Sequence, residues 1–153
     1  MVEFAIVGPI ALMILFGLIS GSWLFFQHEA VSDGARAGAR AASIETSLYQ
    51  QSGGSGPYCE SGAPGMIASA VAAAAPNMPV NRAALCAPAG STTHLQQQPS
   101  GSGLAAITVD ASPSLAAPTS VQVTVTYSAK GMAPPFTHTF NFSSSSAQPV
   151  LQP

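Results

Sequence analysis

The side chains best able to do chemistry in this chain of 153 residues are a carboxylate near its start and a pair of cysteines in its middle. Glu3 stands directly before a long apolar run. A carboxylate at the tip of an apolar helix is stable at a membrane interface, at the positive end of the helix, or beside a cation of a partner. The sequence therefore allows two roles for Glu3: a solvated helix start, or one half of an ion pair with another molecule.

Cys59 and Cys86 are the only cysteines, and neither belongs to a CxxC motif or to a Cys/His cluster. The economical interpretation is a disulfide, which would close a loop rich in Gly and Pro and contribute on the order of 3 kcal/mol. Two free buried thiols are the alternative. A disulfide would place this part of the chain outside the cytoplasm, because thiols stay reduced inside it.

The other polar residues form no catalytic or metal-binding pattern. His28, His94 and His138 are too scattered for a local metal site, so we expect no metal and no cofactor. The region after the long helix offers only Glu60 and Asp110 as acids, and the chain contains no GxSxG motif and no phosphate-binding Gly loop. Four Lys and Arg residues and a net charge of −2 argue against nucleic-acid binding. We therefore expect a protein that is not an enzyme.

An apolar run opens the chain and contains no charged residue from Phe4 to His28. As a helix, its first 23 residues would reach about 34 Å, enough to span a bilayer core of about 30 Å. Its C-terminal end carries Trp23, Phe25 and Phe26, which resemble an interfacial aromatic belt. A secretory signal peptide is the competing explanation, but it has a shorter apolar region, a basic start and a small-residue cleavage site.

The helical pattern continues past the apolar run and predicts one helix from Val2 to Gln50. Pro9 removes a backbone donor and crowds the carbonyl of Ala5, so we expect a kink or local loosening there. The second half is rich in Ala, and its apolar positions are expected on one face. These positions are Val31, Ala35, Ala39, Ala42 and Leu48. Asp33 and Arg36 are spaced for a weak, exposed ion pair.

Two GxxxG spacings lie on this helix, at Gly17 and Gly21 and at Gly34 and Gly38. Small residues four apart let two helix backbones approach closely. We therefore predict that both pairs, together with Glu3 and Pro9, form the assembly surface of the helix.

The rest of the chain predicts an α+β fold, with the long helix followed by a small domain that contains an antiparallel β hairpin or small sheet. The predicted elements are a short helix over Pro64–Ala75 and strands over Ala105–Asp110, Ser120–Ala129 and Phe136–Ser143, with a loop over 87–103 and a loosely held polar tail. The chain then divides into the helix at 1–50, with its transmembrane half at 4–28, a Gly/Pro-rich region at 51–103, and a β-rich region at 104–153. His138 is expected to pack among Phe residues.

The segment VEFAIVGPIALMILFGLI followed by AVSDGARAGARAAS resembles the N-terminal module of TadE-like pseudopilins of the tight-adherence (Flp) pilus system. That family carries an acidic residue before Phe-Ala, an apolar run with Pro, and then Ala-Arg-x-Gly-Ala-Arg. Residues 2–44 carry the resemblance, and Ala35–Arg40 is its most specific part.

The resemblance implies a structural subunit of a type IV pilin-like filament. Such a subunit is held in the bacterial inner membrane by a single helix in contact with lipid, cleaved by a prepilin peptidase, and passed by an assembly platform into an extracellular pilus. Its partners would be copies of itself and other pilins, and Glu3 would face the terminal amine of a neighbouring subunit. The alternative is a minor pseudopilin that initiates, caps or helps to assemble the pilus.

Overall fold

The computed structural model describes residues 2–51, with side chains from 6 to 45, together with residues 65–82, 85, 94–96, 104–113, 118–130 and 139–150. Two helices and four strands follow one another along the chain. They are α1 (Val2–Gln51), α2 (Met66–Ala74), β1 (His94–Gln96), β2 (Ala106–Ser112), β3 (Ser120–Lys130) and β4 (Thr139–Pro149). The strands form one antiparallel sheet in the order β1-β2-β3-β4. The α+β fold with a long N-terminal helix is confirmed.

Helix α1 is continuous over 50 residues and passes through Pro9 without a break. Its second half carries many small side chains, and helix α2 and strands β3 and β4 pack against it. Of the predicted apolar positions, Val31, Ala35, Ala39 and Ala42 are buried, and the side chain of Leu48 lies outside the described residues. Asp33 and Arg36 form the expected exposed pair, with 3.7 Å between Oδ1 and Nη1. The second half of α1 is therefore one wall of the domain core.

The sheet supplies the facing wall through alternate residues of β2 and β3. Val121, Val123 and Val125 are buried, and the register places Val109 opposite Val123 and Ile107 opposite Val125. Such directly opposed β-branched pairs are the unit of sheet stabilisation. In the sequence of this strand, Val121, Val123, Val125 and Tyr127 alternate with polar residues, which predicts one apolar face, and the burial of the three valines confirms it.

The C-terminal prediction was wrong in its boundaries. The strand predicted over Phe136–Ser143 is described from Thr139 and runs on to Pro149, so the serines expected in a loose tail are paired with β3. Val150 is buried and donates its N–H to the carbonyl of Thr119. Serine side chains carry no apolar pattern, so the length of β4 reflects the partner strand beside it.

Two smaller differences concern the region before the sheet. Part of the predicted loop 87–103 forms β1, which pairs with β2. The short helix predicted over Pro64–Ala75 begins at Met66 and ends at Ala74.

Strand β4 runs alongside α1 in the same direction. The ring of His28 meets the ring of Phe142 edge-on, with 6.4 Å between the two ring centroids. Gly38 lies against Val123, whose partner in β4 is Ser146. From His28 to Gly38 the helix advances about 15 Å. From Phe142 to Ser146 the strand advances about 13 Å, so the two axes are nearly parallel.

Candidate assembly surface

Helix α1 is divided into an exposed apolar part and a part covered by the rest of the chain. We call residues 6–26 the exposed segment, because most of its large side chains are exposed. Those counted as exposed are Ile6, Val7, Ile10, Leu12, Met13, Ile14, Leu15, Phe16, Leu18, Ile19, Phe25 and Phe26. A soluble protein does not leave so large an apolar surface in water.

By length and composition, α1 is the one helix among the described residues that could cross a membrane. Its most apolar window of 18 residues has a mean hydropathy of 2.0, and none of that window is buried. Trp23 and Phe26 pack together at the end of the segment, with ring centroids 6.2 Å apart. Aromatic side chains are favoured at that level of a bilayer.

Gln27 marks the boundary between the two parts of the helix. Its side chain is only 2% exposed, and its Oε1 lacks a hydrogen-bond partner among the described residues. An unsatisfied buried polar group costs about 1–3 kcal/mol. In the sequence this residue is part of the apolar run, and its burial could not be predicted because only the packing of the domain shows it.

Gly17 and Gly21 lie on open parts of the exposed segment. A Cβ added at either position would meet no other atom within 4 Å. Gly21 also lines an apolar pocket of about 350 Å³ between α1 and β4, with Leu24, Phe25, His28 and Phe142. These two glycines are therefore available to another helix, as predicted for the assembly surface, although that role stays a prediction.

Gly34 and Gly38 have a different position, because the domain itself occupies the space beside them. A Cβ at Gly38 would lie 2.8 Å from Cγ2 of Val71 and 3.1 Å from Cγ1 of Val123, and one at Gly34 would lie 3.3 Å from Cγ1 of Val71. The close neighbour that these glycines permit is thus α2 of the same chain. This corrects the expectation that they contact a second subunit, because the face on which they lie is already covered.

Glu45 lies where α1 meets the start of α2. Its carboxylate accepts a hydrogen bond from the backbone N–H of Ile67, near the positive end of α2, whose N-cap residue Gly65 provides no side-chain cap. Burial raises the pKa of the Glu45 carboxyl, and the hydrogen bond from Ile67 opposes that rise. Its Oε2 is buried without a partner among the described residues. Nothing in the sequence pattern singled out this residue.

A polar contact also joins strands β1 and β2. His94 Nδ1 and Asp110 Oδ1 are 2.5 Å apart across the β1–β2 pair. Within the described ranges, no group of three or more His, Cys, Asp or Glu residues could hold a metal ion. The contact of His94 with Asp110 could not be predicted from the sequence, because a pairing across two strands depends on their register.

Three of the predicted site residues lie wholly or partly outside the described residues. Glu3 belongs to the first turn of α1, but its side chain lies outside the described residues. Cys59 and Cys86 also lie outside them, so the disulfide stays a prediction. Pro9 is exposed within the helix.

Comparison with known proteins gives one match. Residues 1–40 match the model of a protein family described as TadE-like protein. This range contains the exposed segment and most of the face of α1 that the domain covers. No curated protein matches the chain. No solved structure matches it either.

Proposed function

We propose that this protein is a pilin-like subunit of a Tad pilus, held in the inner membrane by the exposed segment before it joins the filament. The observation that carries the proposal is the division of α1. A helix with one bare apolar half and one half buried in a small domain can anchor the domain in lipid. The bare apolar half can later pack against the helices of other subunits.

The family match supports the pilus assignment because it covers the anchor and the start of the covered face, residues 1–40. The resemblance of Ala35–Arg40 to the family pattern falls in the same range. A helix of this type exchanges lipid for the helices of neighbouring subunits, and both environments are apolar. We infer that the domain lies outside the cytoplasm, as the predicted Cys59–Cys86 disulfide would require.

The partners in this proposal are copies of the chain, other pilins, membrane lipid, a prepilin peptidase and the assembly platform. The chain would form part of the bulk of the filament, and adhesion would be a property of the completed pilus. A minor subunit that initiates or caps the pilus would use the same anchor and the same domain. The two forms of the proposal differ in stoichiometry.

Mass spectrometry of filaments sheared from the cell surface tests the proposal. We expect peptides of the chain in the filament fraction and the full chain in the inner-membrane fraction. A dominant share of the filament protein would identify a principal subunit, and a trace share a minor one. Absence from filaments in cells that carry the chain in their membranes would overturn the proposal.

A further inference from the structure

A pocket lies where the anchor meets the domain, between the last turns of the exposed segment and the start of β4. Its volume is about 350 Å³, and the described residues that line it are Gly21, Leu24, Phe25, His28 and Phe142. His28 provides the one polar side chain of this lining. Pockets that hold small molecules have volumes of about 300–1,000 Å³ and are mostly apolar with a few polar groups. The pocket therefore has the size and the composition of a ligand site.

The pocket exists because four helix residues share one face and a strand passes over that face. Residues 21, 24, 25 and 28 follow the spacing i, i+3, i+4 and i+7, which brings them to one side of a helix. Gly21 provides the space, since a Cβ at this position would meet no other atom within 4 Å. Phe142 closes the end towards the domain, where its ring meets the ring of His28. Phe25 is 77% exposed, so the pocket stays open on its outer side.

The position along α1 determines what surrounds the pocket. From Gly21 to His28 the helix advances about 10 Å. The pair of Trp23 and Phe26 lies at the same level, and such aromatic side chains are favoured at a membrane interface. The exposed Glu29 follows directly after His28. In a membrane, the pocket thus begins among the lipid tails and ends at the polar surface of the same leaflet.

The volume of the pocket limits what can enter it. One turn of an α-helix with its side chains is about 5.4 Å long and about 10–12 Å wide, so it occupies more than about 400 Å³. A neighbouring helix does not fit inside, whereas a thinner chain does. An acyl chain is a single file of methylene groups with a polar ester at one end. The pocket has the same polarity, because it ends at the imidazole of His28, whose N–H can donate to an ester or phosphate oxygen.

We propose that this pocket binds one acyl chain of a phospholipid from the leaflet on the side of the domain, with the ester and phosphate groups beside His28. Water does not fill an apolar space of this kind favourably. The bound lipid contacts both the anchor and Phe142 of β4, so it joins the domain to the membrane surface. The proposal rests on the proposed function only in requiring that the exposed segment lies in a membrane.

Two glycine variants test the site in the full chain. Gly21→Leu adds a side chain inside the pocket, where it takes the place of several methylene groups of the lipid. Gly17→Leu adds the same side chain one turn nearer the start of the helix, at a glycine that is equally open and does not line the pocket. Both variants should insert into vesicles and keep the fold of the wild type, as followed by flotation and by thermal unfolding.

The probe is a phospholipid with a photoreactive diazirine on its acyl chain, added in trace amounts to vesicles of phosphatidylethanolamine and phosphatidylglycerol. Mass spectrometry identifies the crosslinked residues. We expect more crosslinks at Leu24 and Phe142 than at Ser22, which is exposed on the opposite side of the helix. Gly21→Leu should reduce the crosslinks at Phe142 about tenfold, because the loss of a few buried methylene groups weakens binding by that factor. Gly17→Leu should leave them unchanged.

Native mass spectrometry of the protein released from micelles gives a second measurement. We expect one retained phospholipid per chain in the wild type and in Gly17→Leu, and none in Gly21→Leu. Equal crosslinking at Ser22 and Leu24 would show ordinary lipid contact and overturn the site, and so would crosslinks at Phe142 that Gly21→Leu does not reduce.

A photoreactive residue at position 24 identifies other occupants. Capture of a second copy or of another part of the chain, without lipid, would contradict the proposal. The outcome is separate from that of the filament assay, since a chain that is absent from filaments can still bind lipid and a filament subunit can lack the site. A chain that does not float with vesicles would contradict the anchor itself and this site with it.

Discussion

Glu45 shows how a single side chain connects the two helices of the domain. It takes the place of the missing N-cap side chain of α2 by accepting the N–H of Ile67, and this contact partly offsets the cost of its burial. The net effect is a raised pKa, so the folded state holds a proton more tightly than the unfolded state does. The contribution of Glu45 to stability is then largest below its unfolded value of 4.5 and is lost as pH rises through the folded value.

Glu45→Gln should therefore stabilise the domain relative to the wild type as pH rises above the folded pKa of Glu45. The amide still accepts the hydrogen bond from Ile67 but carries no charge to desolvate. Thermal unfolding from pH 4 to pH 8 measures the effect. Glu29→Gln, at an exposed position of the same helix, controls for the loss of one charge. A constant difference between Glu45→Gln and the wild type at all pH values would contradict the prediction.

Glu3 is a second single residue with a predicted role, the recognition of a neighbouring subunit. If it neutralises the terminal amine of another subunit in an apolar filament core, its loss leaves an uncompensated charge at each contact, on the order of 3–5 kcal/mol. Assembly should then fall in the order wild type, Glu3→Gln, Glu3→Ala, because the amide can still accept a hydrogen bond from the amine. The yield of sheared filaments at matched membrane levels measures this order. Normal filaments from Glu3→Ala would leave Glu3 as a favourable helix start only.

At the scale of elements, the two GxxxG pairs of α1 do different things. Gly17 and Gly21 lie on the exposed segment, whereas Gly34 and Gly38 admit α2 and β3 to the helix surface. The difference follows from the position along α1, since the fully buried residues of this helix begin at Gln27. In the second half of α1, the glycines allow other elements of the same chain to pack closely against the helix. In the first half, the glycines remain available for contact with another molecule.

Gly38→Ala should destabilise the domain by about 1–3 kcal/mol, because its Cβ would lie 2.8 Å from Val71 and the core must shift. Gly17→Ala, where the added Cβ meets nothing within 4 Å, should leave unfolding of the domain unchanged. Thermal unfolding of both variants in detergent, followed by circular dichroism, gives the comparison. Equal melting temperatures for the two variants would show that the core absorbs a methyl group at residue 38.

For the whole molecule, the main feature is that one helix serves two environments. Most large side chains of the exposed segment are left uncovered by the domain, and the continuation of the same helix is a wall of the domain core. A rigid helix between them fixes the direction of the sheet relative to the membrane. This is the basis of the filament proposal.

The predicted disulfide bears on the location of the whole domain. Peptide maps of the native protein under non-reducing and reducing conditions should differ by one linked pair, Cys59 with Cys86. Loss of this bond should lower the stability of the domain by on the order of 3 kcal/mol. Cys59→Ser should expose Cys86 to alkylation, and Cys86→Ser should expose Cys59. Two thiols that alkylate freely in the wild type would contradict the disulfide and remove one argument for a location outside the cytoplasm.

Several features could be predicted from the sequence because they depend on local periodicity. The spacing of Val31, Ala35 and Ala39 identified the buried face of α1, and the alternation along β3 identified its core side. The apolar run identified the exposed segment. In each case the side chains of one element carry the signal, since helices and strands bring every third to fourth or every second residue to one face.

Tertiary contacts determine the remaining features, because the sequence of a buried face does not show which element packs against it. The glycines at 34 and 38 indicated a close neighbour, and only the fold shows that it is α2 of the same chain. The serines of β4 have no apolar pattern, and their strand exists because β3 provides a partner for each residue. In the sequence, Glu45 looks like any other polar helix residue, and its burial results from the start of α2 beside it. Periodicity therefore identified the faces, and the packing of the chain determined which surfaces remain open for a second molecule.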